Sequence, residues 1–391
     1  MKVLFITKHY LEDNGGGSFA SRAFINAFSE LADSSMLLFP DRKCSIDNLI
    51  QKSCIKIGII DSRSIFKKVI DIYSGKFHRY SNISSYILDF TPDVIVFDNS
   101  ICSSGLIKKV KELGIKIITI HHNYEMEYYR GSKNSLFFAW RSVVLHHIKK
   151  IERLAVLNSN LNITLTDEDI NLLQINYDQN HETKYAKLGC FESETNFISD
   201  ISEERNDLDQ ISNLCFAITG SLGTYQTEVS LIPFLENEYP ELIKKLPNST
   251  LIIAGSNPSK KLIKTCTNYP SIKLIPNPEN MQDILAQADI YICPTCIGGG
   301  LKLRIMDGLK AGLPVLSHIV SARGYADFKK ENCLFVYENH DNFKLRLDEI
   351  IIEKNRGNLN RKKIIKLYNS IFSFESGVDR LRDILIQNSF I

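Results

Sequence analysis

The sequence predicts an α/β protein of two domains, each with a parallel sheet covered by helices on both faces. Three observations lead to this prediction. Short apolar runs, such as residues 3–7, 94–98 and 115–120, alternate with helical patterns. A chain of 391 residues can bury two separate cores. The same alternation starts again at residue 214, after a polar stretch without periodicity.

That polar stretch sets the domain boundaries. We place the first domain at residues 1–195, a linker at 196–212, the second domain at 213–372 and a C-terminal helix at 373–391.

Composition excludes several classes of protein. The net charge is +2, with 44% hydrophobic and 24% charged residues, as in ordinary soluble globular proteins. This charge balance gives no indication of a nucleic-acid partner. The first apolar run is too short for a signal peptide or a membrane span, and no later run reaches the length of a span. The nine cysteines are scattered and odd in number, which favours reduced thiols. We expect a cytoplasmic protein.

The first domain opens with a strand at 3–7 and a glycine-rich turn at 14–18, which leads into a helix. Gly16 and Gly17 let the backbone approach an anion at the helix start. The spacing is not G-x-G-x-x-G, and no acidic residue ends the next strand at 36–39, so a nicotinamide cofactor is not expected. The alternative is a plain tight turn.

A polar cluster follows the strand at 115–120. It contains His121, His122, Asn123 and Glu125. Ligands of open α/β sheets bind at the carboxyl ends of strands, so this cluster is a candidate site. The alternative is that a histidine here only caps a loop.

Residues 137–154 form an amphipathic helical pattern. Its apolar side contains Phe137, Trp140, Val143, Val144, Ile148 and Ile151, and its basic side His146, Lys149, Lys150 and Arg153. Such a helix suits peripheral contact with the inner face of a membrane. The favoured alternative is a core helix with a solvated face.

Asp167 and Asp169 superficially offer a D-x-D metal site. Thr166 and Asp169 also make a capping-box-like helix start, and this interpretation is favoured. With no other suitable acidic cluster, we expect no metal.

A triple glycine, Gly298, Gly299 and Gly300, lies between a strand at 290–293 and a short helical pattern. Glycines allow backbone N–H groups to approach a ligand, and the free N–H groups at a helix start favour an anion. The unit is therefore suited to holding a phosphate.

Lys302 lies in the apolar sector of that helical pattern, where an ammonium group needs a cavity or a partner. The apolar members of the sector are Leu301, Ile305, Met306 and Leu309. We expect Lys302 to point into the mouth of the glycine loop. Arg304 and Asp307 share another face, and Asp307 is ~7 Å along the axis from Lys302, comparable to the distance from a diphosphate to its ribose. The alternative is a surface ion pair of Arg304 and Asp307 with a snorkelling lysine.

The stretch 298–308 reads GGGLKLRIMDG and is followed by GLPV at 312–315. It resembles the donor-binding segment of the GT-B glycosyltransferases, in particular the retaining family 4, whose loop has the form G-G-G-T-R-L-K-I-L-E-A followed by G-x-P-V. Residues 121–129 are similar to the family's H-N-x-E-x-x-Y-Y segment, and Gly220-Ser221 to its G-S turn. The C-terminal helix resembles the segment that crosses back onto the first domain.

The resemblance implies two Rossmann-like domains whose parallel sheets face each other across a cleft. It also implies a hexosyltransferase-type enzyme that moves a sugar from a nucleotide diphosphate to a hydroxyl of a glycan or lipid-linked glycan, as in polysaccharide biosynthesis, with retention. The nucleotide sugar is a substrate, so no cofactor is expected. Two alternatives stay open: a sugar-nucleotide epimerase of the same fold, and a non-catalytic partner subunit.

The family's residue roles transfer by position. His122, with His121 as the alternative, approaches the sugar, and Asp307 binds the ribose. The loop with Gly16 and Gly17 meets the donor or acceptor. Asn123 and Glu125 are acceptor-side candidates.

This chain departs from the family pattern in two ways. Gly299 replaces the family's first glutamate, and no basic residue lies between Gly220 and Leu242, where many members bind the diphosphate. Lys302 and Arg304 are the substitutes, and Lys302 is a catalytic candidate beside the N–H groups of the two glycine turns.

Overall fold

The computed structural model describes residues 1–13, 15–51, 53–61, 63–74, 83–131, 141–194 and 213–391. It divides into two compact units. Unit 1 contains the described part of residues 1–196 together with 299–301 and 371–391, and unit 2 the described part of 197–298 together with 302–370. The predicted linker at 196–212 lies outside the described residues.

Unit 1 contains a seven-stranded parallel sheet with the order β3-β2-β1-β4-β5-β6-β7. Its strands are β1 (Lys2–Thr7), β2 (Ser34–Pro40), β3 (Ile55–Ile59), β4 (Val94–Asp98), β5 (Lys116–His121), β6 (Leu161–Thr164) and β7 (Tyr185–Lys187).

Helices connect these strands and cover the sheet. They are α1 (Gly16–Leu31), α2 (Ile65–Tyr73), α3 (Ile83–Phe90), α4 (Ile107–Glu112), α5 (Glu125–Gly131), α6 (Arg141–Asn158) and α7 (Asp167–Tyr177). A 3-10 turn at Ser100–Ser103 follows β4.

The apolar runs form strands because both faces of this sheet are covered. Every residue of β4 is buried, as is all of β1 after its first residue. The order reverses between β1 and β4, the kind of switch point where open α/β sheets bind ligands. In the register, Thr7 lies opposite Asp98 and Asp98 opposite Ile120, so the carboxyl ends of β1, β4 and β5 are neighbours.

Unit 2 contains a six-stranded parallel sheet with the order β10-β9-β8-β11-β12-β13. Its strands are β8 (Cys215–Ser221), β9 (Thr250–Ser256), β10 (Ile272–Pro276), β11 (Ile290–Cys293), β12 (Val315–His318) and β13 (Leu334–Tyr337).

The helices after β8 follow the same alternation. They are α8 (Tyr225–Lys245), α9 (Lys260–Cys266), α10 (Met281–Gln287), α11 (Leu303–Lys310), α12 (Ala326–Lys330), α13 (His340–Asn355), α14 (Arg361–Phe372) and α15 (Phe374–Gln387). Within unit 1, α15 packs on α1, and its Gly377 lies against Phe191. The predicted α/β class with two parallel sheets is confirmed.

Helix α6 is a core helix with a basic face. Val144, Ile148 and Ile151 are buried, whereas Val143, predicted on the same apolar side, is 36% exposed. The predicted apolar residues Phe137 and Trp140 lie outside the described residues. Across the part of the chain that the structure describes, we find no helix with the length and apolarity needed to span a membrane.

Candidate active-site residues in the two units

A histidine–carboxylate pair lies at the carboxyl ends of β4 and β5 in unit 1. Asp98, the last residue of β4, is fully buried, and His122 is 8% exposed. His122 Nε2 lies 2.5 Å from Asp98 Oδ1. Burial alone would raise the pKa of Asp98, but the adjacent His122 lowers the pKa to about 2. The Asp98 carboxyl is therefore ionised at neutral pH.

Two hydroxyl groups hold the other oxygen of Asp98. Thr7 Oγ1 donates to Asp98 Oδ2 at 2.6 Å and Ser21 Oγ at 2.5 Å. Charge-assisted hydrogen bonds of this kind fix the orientation of the carboxylate, so its Oδ1 stays directed at His122. Asp98, Thr7 and Ser21 were not predicted as site residues from the sequence. One sequence feature could have indicated Asp98: it is an acidic residue at the end of an apolar strand, in the same predicted domain as the glycine-rich turn at 14–18.

His121 is a core residue. It is 1% exposed, and its Nε2 lies 3.0 Å from Asn162 Oδ1. Burial lowers the pKa of His121 to about 4, so its ring is neutral at neutral pH. Of the two candidate histidines, His122 is the one that contacts a carboxylate.

Glu125 begins α5 and is 2% exposed. Its Oε1 accepts hydrogen bonds from Asn99 Nδ2 at 2.5 Å and from Asn123 Nδ2 at 3.2 Å. Lys8 Nζ lies 4.0 Å from the same oxygen. Burial opposes the charge of Lys8, but the Glu125 carboxylate raises the pKa of Lys8 above its ordinary value. Asn123 and Glu125 thus belong to one polar network.

His9, which was not predicted as a site residue from the sequence, packs beside His122. The two ring centroids are 5.2 Å apart. Burial, followed by the charges of His122 and Lys8, lowers the pKa of His9 to about 3. A β-carbon at Gly17 would lie 2.4 Å from His9 Cε1, so the ring occupies the space that Gly17 leaves open. Gly16 is the first residue of α1.

The turn after β8 in unit 2 is covered by an arginine. Arg304 Nη2 donates to Ser221 O at 3.2 Å and to Thr227 Oγ1 at 2.6 Å. Gly220 has a φ of +128°, and a β-carbon there would lie 2.6 Å from Arg304 Nε. The turn therefore requires glycine both for its backbone conformation and for the approach of the guanidinium group.

Lys302 lies beside the first residue of the triple glycine. A β-carbon at Gly298 would lie 3.2 Å from Lys302 Nζ and 2.7 Å from Gln226 Nε2. The prediction that Lys302 occupies the first helical turn is wrong, because α11 begins at Leu303 and Lys302 is its extended N-cap. Asp307 is exposed on α11. A cation beside the N-terminus of an eight-residue helix supplies two features that bind phosphate.

The other two glycines of the triplet belong to unit 1. A β-carbon at Gly299 would lie 2.9 Å from Glu127 Oε2, and one at Gly300 would lie 2.8 Å from His122 O. Gly299 stands where the family pattern has a glutamate, and a second carboxylate at this point would face Glu127.

One group of side chains in the described residues has metal-ligating geometry. His9, Asp98 and His122 each offer a ligand atom, and these atoms lie within 4.8 Å of one another. Asp169 instead serves the predicted cap, which is confirmed. Thr166 Oγ1 accepts from Asp169 N at 3.1 Å and donates to Asp169 Oδ2 at 2.6 Å.

Comparison with solved structures identifies the fold. Sucrose-phosphate synthase from Thermosynechococcus elongatus superposes with a TM-score of 0.70, covering 99% of this chain and 98% of that chain at 11% identity. A glycosyltransferase from Rickettsia africae gives 0.66 with the same coverage and identity. Anabaena HepE in complex with UDP and glucose gives 0.65 at 13% identity, covering 98% of this chain and 99% of that chain.

Sequence comparison finds a similarity to a known family in part of unit 2. Residues 216–351 match the family model described as "Glycosyl transferases group 1". Two curated relatives from Thermoanaerobacter are UDP-N-acetylglucosamine–N-acetylmuramyl-(pentapeptide) pyrophosphoryl-undecaprenol N-acetylglucosamine transferases. Each is 26% identical over 181 residues, a match that covers 44% of this chain and 42% of the relative's length. The chain has the fold of the GT-B glycosyltransferases, and its residues 216–351 are similar to the group 1 family of glycosyl transferases.

Proposed function

We propose that the protein is a glycosyltransferase that moves a sugar from a nucleoside diphosphate to a hydroxyl of a glycan or lipid-linked glycan, with retention and without a metal. The observation that carries this proposal is the anchoring of Arg304 over the Gly220-Ser221 turn, with Lys302 beside Gly298 in the same unit. Two cations, two glycine turns and a helix N-terminus make a binding site for a diphosphate.

In this mechanism the cations act on the leaving group. Negative charge builds on the diphosphate as the sugar–phosphate bond breaks, and Lys302 and Arg304 stabilise it together with the N–H groups of the glycine turns. Loss of one such group costs about 3 kcal/mol, on the order of a hundredfold in rate. Asp307 binds the ribose hydroxyls in this proposal. The donor phosphate itself helps to deprotonate the acceptor.

His122 contacts the transferred sugar, and Asp98 is its positioning residue. The short contact between them holds the imidazole ring in one orientation, and the two hydroxyl donors hold the carboxylate in turn. Preorganised groups of this kind lower a barrier because they need not reorient during the reaction. Asn123 and Glu125 are the acceptor-side residues.

We propose a uridine nucleotide as the donor. The Anabaena structure contains UDP, and the curated relatives use UDP-N-acetylglucosamine. Thermal-shift measurements with UDP, GDP, CDP and ADP test this, because a ligand that binds the folded state raises its apparent stability. UDP is expected to give the largest shift, and Lys302→Ala to abolish it. Lys330→Ala, a control at an exposed lysine of unit 2, is expected to keep the shift.

Activity assays on the purified protein distinguish the proposed transferase from an epimerase and from a non-catalytic partner subunit. Incubation of the donor without acceptor yields an epimer if the protein is an epimerase. A non-catalytic partner subunit gives no turnover with any acceptor and little or no nucleotide binding. The proposal is supported if the sugar is transferred to an acceptor and if the donor sugar is not epimerised when no acceptor is present.

We further propose that the basic face of α6 contacts an anionic membrane on its cytoplasmic side, as a lipid-linked acceptor requires. Its residues His146, Lys149, Lys150 and Arg153 are exposed. Each Lys or Arg near such a surface contributes about 1 kcal/mol. Lys149→Glu with Lys150→Glu should abolish co-sedimentation with anionic vesicles, and equal binding to neutral and anionic vesicles would contradict this attachment.

A further inference from the structure

We propose that His9, Asp98 and His122 form a binding site for a divalent transition-metal ion of the zinc class, and that the bound ion inhibits the enzyme. The binding half stands on unit 1 alone. The inhibitory half rests on the proposed function, because it requires His122 to act on the sugar. The metal is a reversible inhibitor in this proposal and has no part in the reaction.

The three side chains offer ligand atoms that suit zinc. Two imidazole nitrogens and one carboxylate oxygen are the ligands that Zn²⁺ takes in open, three-residue protein sites. One ligand atom from each of the three residues lies within 4.8 Å of the others. At metal–ligand distances of about 2.0–2.2 Å, tetrahedral ligand atoms are about 3.3 Å apart. His122 Nε2 and Asp98 Oδ1, now 2.5 Å apart, would separate by less than about 1 Å to admit the ion.

The His9 ring has a buried nitrogen, Nε2, without a hydrogen-bond partner among the described residues. A buried polar atom of this kind carries a desolvation cost that a ligand would remove. Binding an ion through Nε2 therefore breaks no existing hydrogen bond of the His9 ring nitrogen Nε2.

Neighbouring groups hold the three ligand side chains in place. Asp98 Oδ2 already accepts from Thr7 and Ser21, which leaves Oδ1 directed at His122. The His9 ring is seated on Gly17, where even a β-carbon would collide with it. Hydrogen bonds to a ligating carboxylate orient it and typically change metal affinity by about 10- to 100-fold. The three side chains are thus held near one point before any ion arrives.

Inhibition follows from the choice of ligands. An ion at this point engages His122 and Asp98 together, so the imidazole is no longer available to a sugar. A chelator should restore the metal-free pair and with it the activity.

The experiment is calorimetric titration of the metal-free full-length protein with Zn²⁺, followed by Co²⁺ absorption spectroscopy. We expect calorimetry to give one site per chain. We expect no sulfur-to-cobalt charge-transfer band in the absorption spectrum, which would exclude binding of the ion by cysteine thiols. His9→Phe and Asp98→Asn should each lose at least tenfold in affinity. His146→Ala is the matched control, because that ring also lies beside a second histidine, at 5.6 Å from His147, on α6.

Ser21→Ala keeps all three ligands and serves as a milder variant in case the others fail to fold. It should weaken Zn²⁺ binding by about 10-fold. Wild-type affinity in His9→Phe and Asp98→Asn, or no binding by the wild-type protein, overturns the site. Binding that leaves donor turnover unchanged overturns the inhibitory half. Binding in a protein that shows no turnover with or without chelator contradicts the proposed function and leaves the site standing.

Discussion

Replacing Asp98 with asparagine removes the charge that faces His122 and keeps the size of the side chain. In the folded protein the pKa of Asp98 falls from its ordinary 3.8 to about 2. At ~1.4 kcal/mol per pKa unit, this difference corresponds to about 2–3 kcal/mol of the free energy of unfolding at pH 7. Asp98 is fully buried, so solvent screening does not reduce this figure. We expect Asp98→Asn to be less stable by about that amount.

The sign of the pH dependence follows from the lowered pKa. The contribution of Asp98 is present above pH 3.8 and is lost as the pH falls toward 2, so the gap between wild type and variant should shrink below about pH 4. In the proposed function His122 contacts the sugar and Asp98 positions it, so release of nucleoside diphosphate from the donor should also slow, on the order of 100-fold.

Urea unfolding at several pH values measures the stability, and donor turnover at pH 7 measures the positioning role. Asp89→Asn is the control. Asp89 lies on α3, is exposed, and its substitution should change the free energy of unfolding by less than about 0.5 kcal/mol. The reasoning fails if Asp98→Asn matches wild type in both stability and turnover.

Two further substitutions test buried positions of unit 1, one for its charge and one for its packing. Burial, together with the charge of neighbouring Glu125, raises the pKa of Glu152 from 4.5 to about 8, so its contribution is complete below pH 4.5 and is lost as the pH rises through about 8. In urea unfolding, the free energy of unfolding of Glu152→Gln relative to wild type should rise by up to ~1.4 kcal/mol per pH unit across that window. The control Glu112→Gln, at an exposed position, should have the same free energy of unfolding as wild type at every pH. A β-carbon at Gly377 would lie 2.1 Å from Phe191 Cγ, so Gly377→Ala should lower the free energy of unfolding by about 1–3 kcal/mol, and an unchanged melting temperature would refute this packing.

The strands were predictable because parallel strands buried on both faces are continuous apolar runs. The run at Val94–Asp98 was predicted with its observed bounds. Strand β3 (Ile55–Ile59) was not predicted, because it is an edge strand with no fully buried residue and contains a lysine and a glycine.

The partners of a side chain depend on strand order, which one sequence does not reveal. The cluster at His121 and His122 was recognisable from its place after a strand. Asp98 became significant only once β4 was known to lie between β1 and β5, which brings Thr7 and His122 to the same carboxylate.

The start of α11 was misplaced for a local reason. Helical periodicity alone placed Leu301 and Lys302 in the first turn. Gly298 and Gly300 adopt positive φ values of 91° and 68°, which a right-handed helix excludes, and Lys302 stays extended. The buried stripe that was predicted is otherwise confirmed at Ile305, Met306 and Leu309.

The central claim is that unit 2 binds a nucleoside diphosphate through Lys302 and Arg304. Isothermal titration of UDP into the wild-type protein, Lys302→Ala and Arg304→Ala tests it most directly, with Lys330→Ala as the control. We predict saturable binding by wild type and control, and a loss of at least about tenfold, or ~1.4 kcal/mol, in each of the two variants. Equal UDP affinity in all four proteins would contradict the claim.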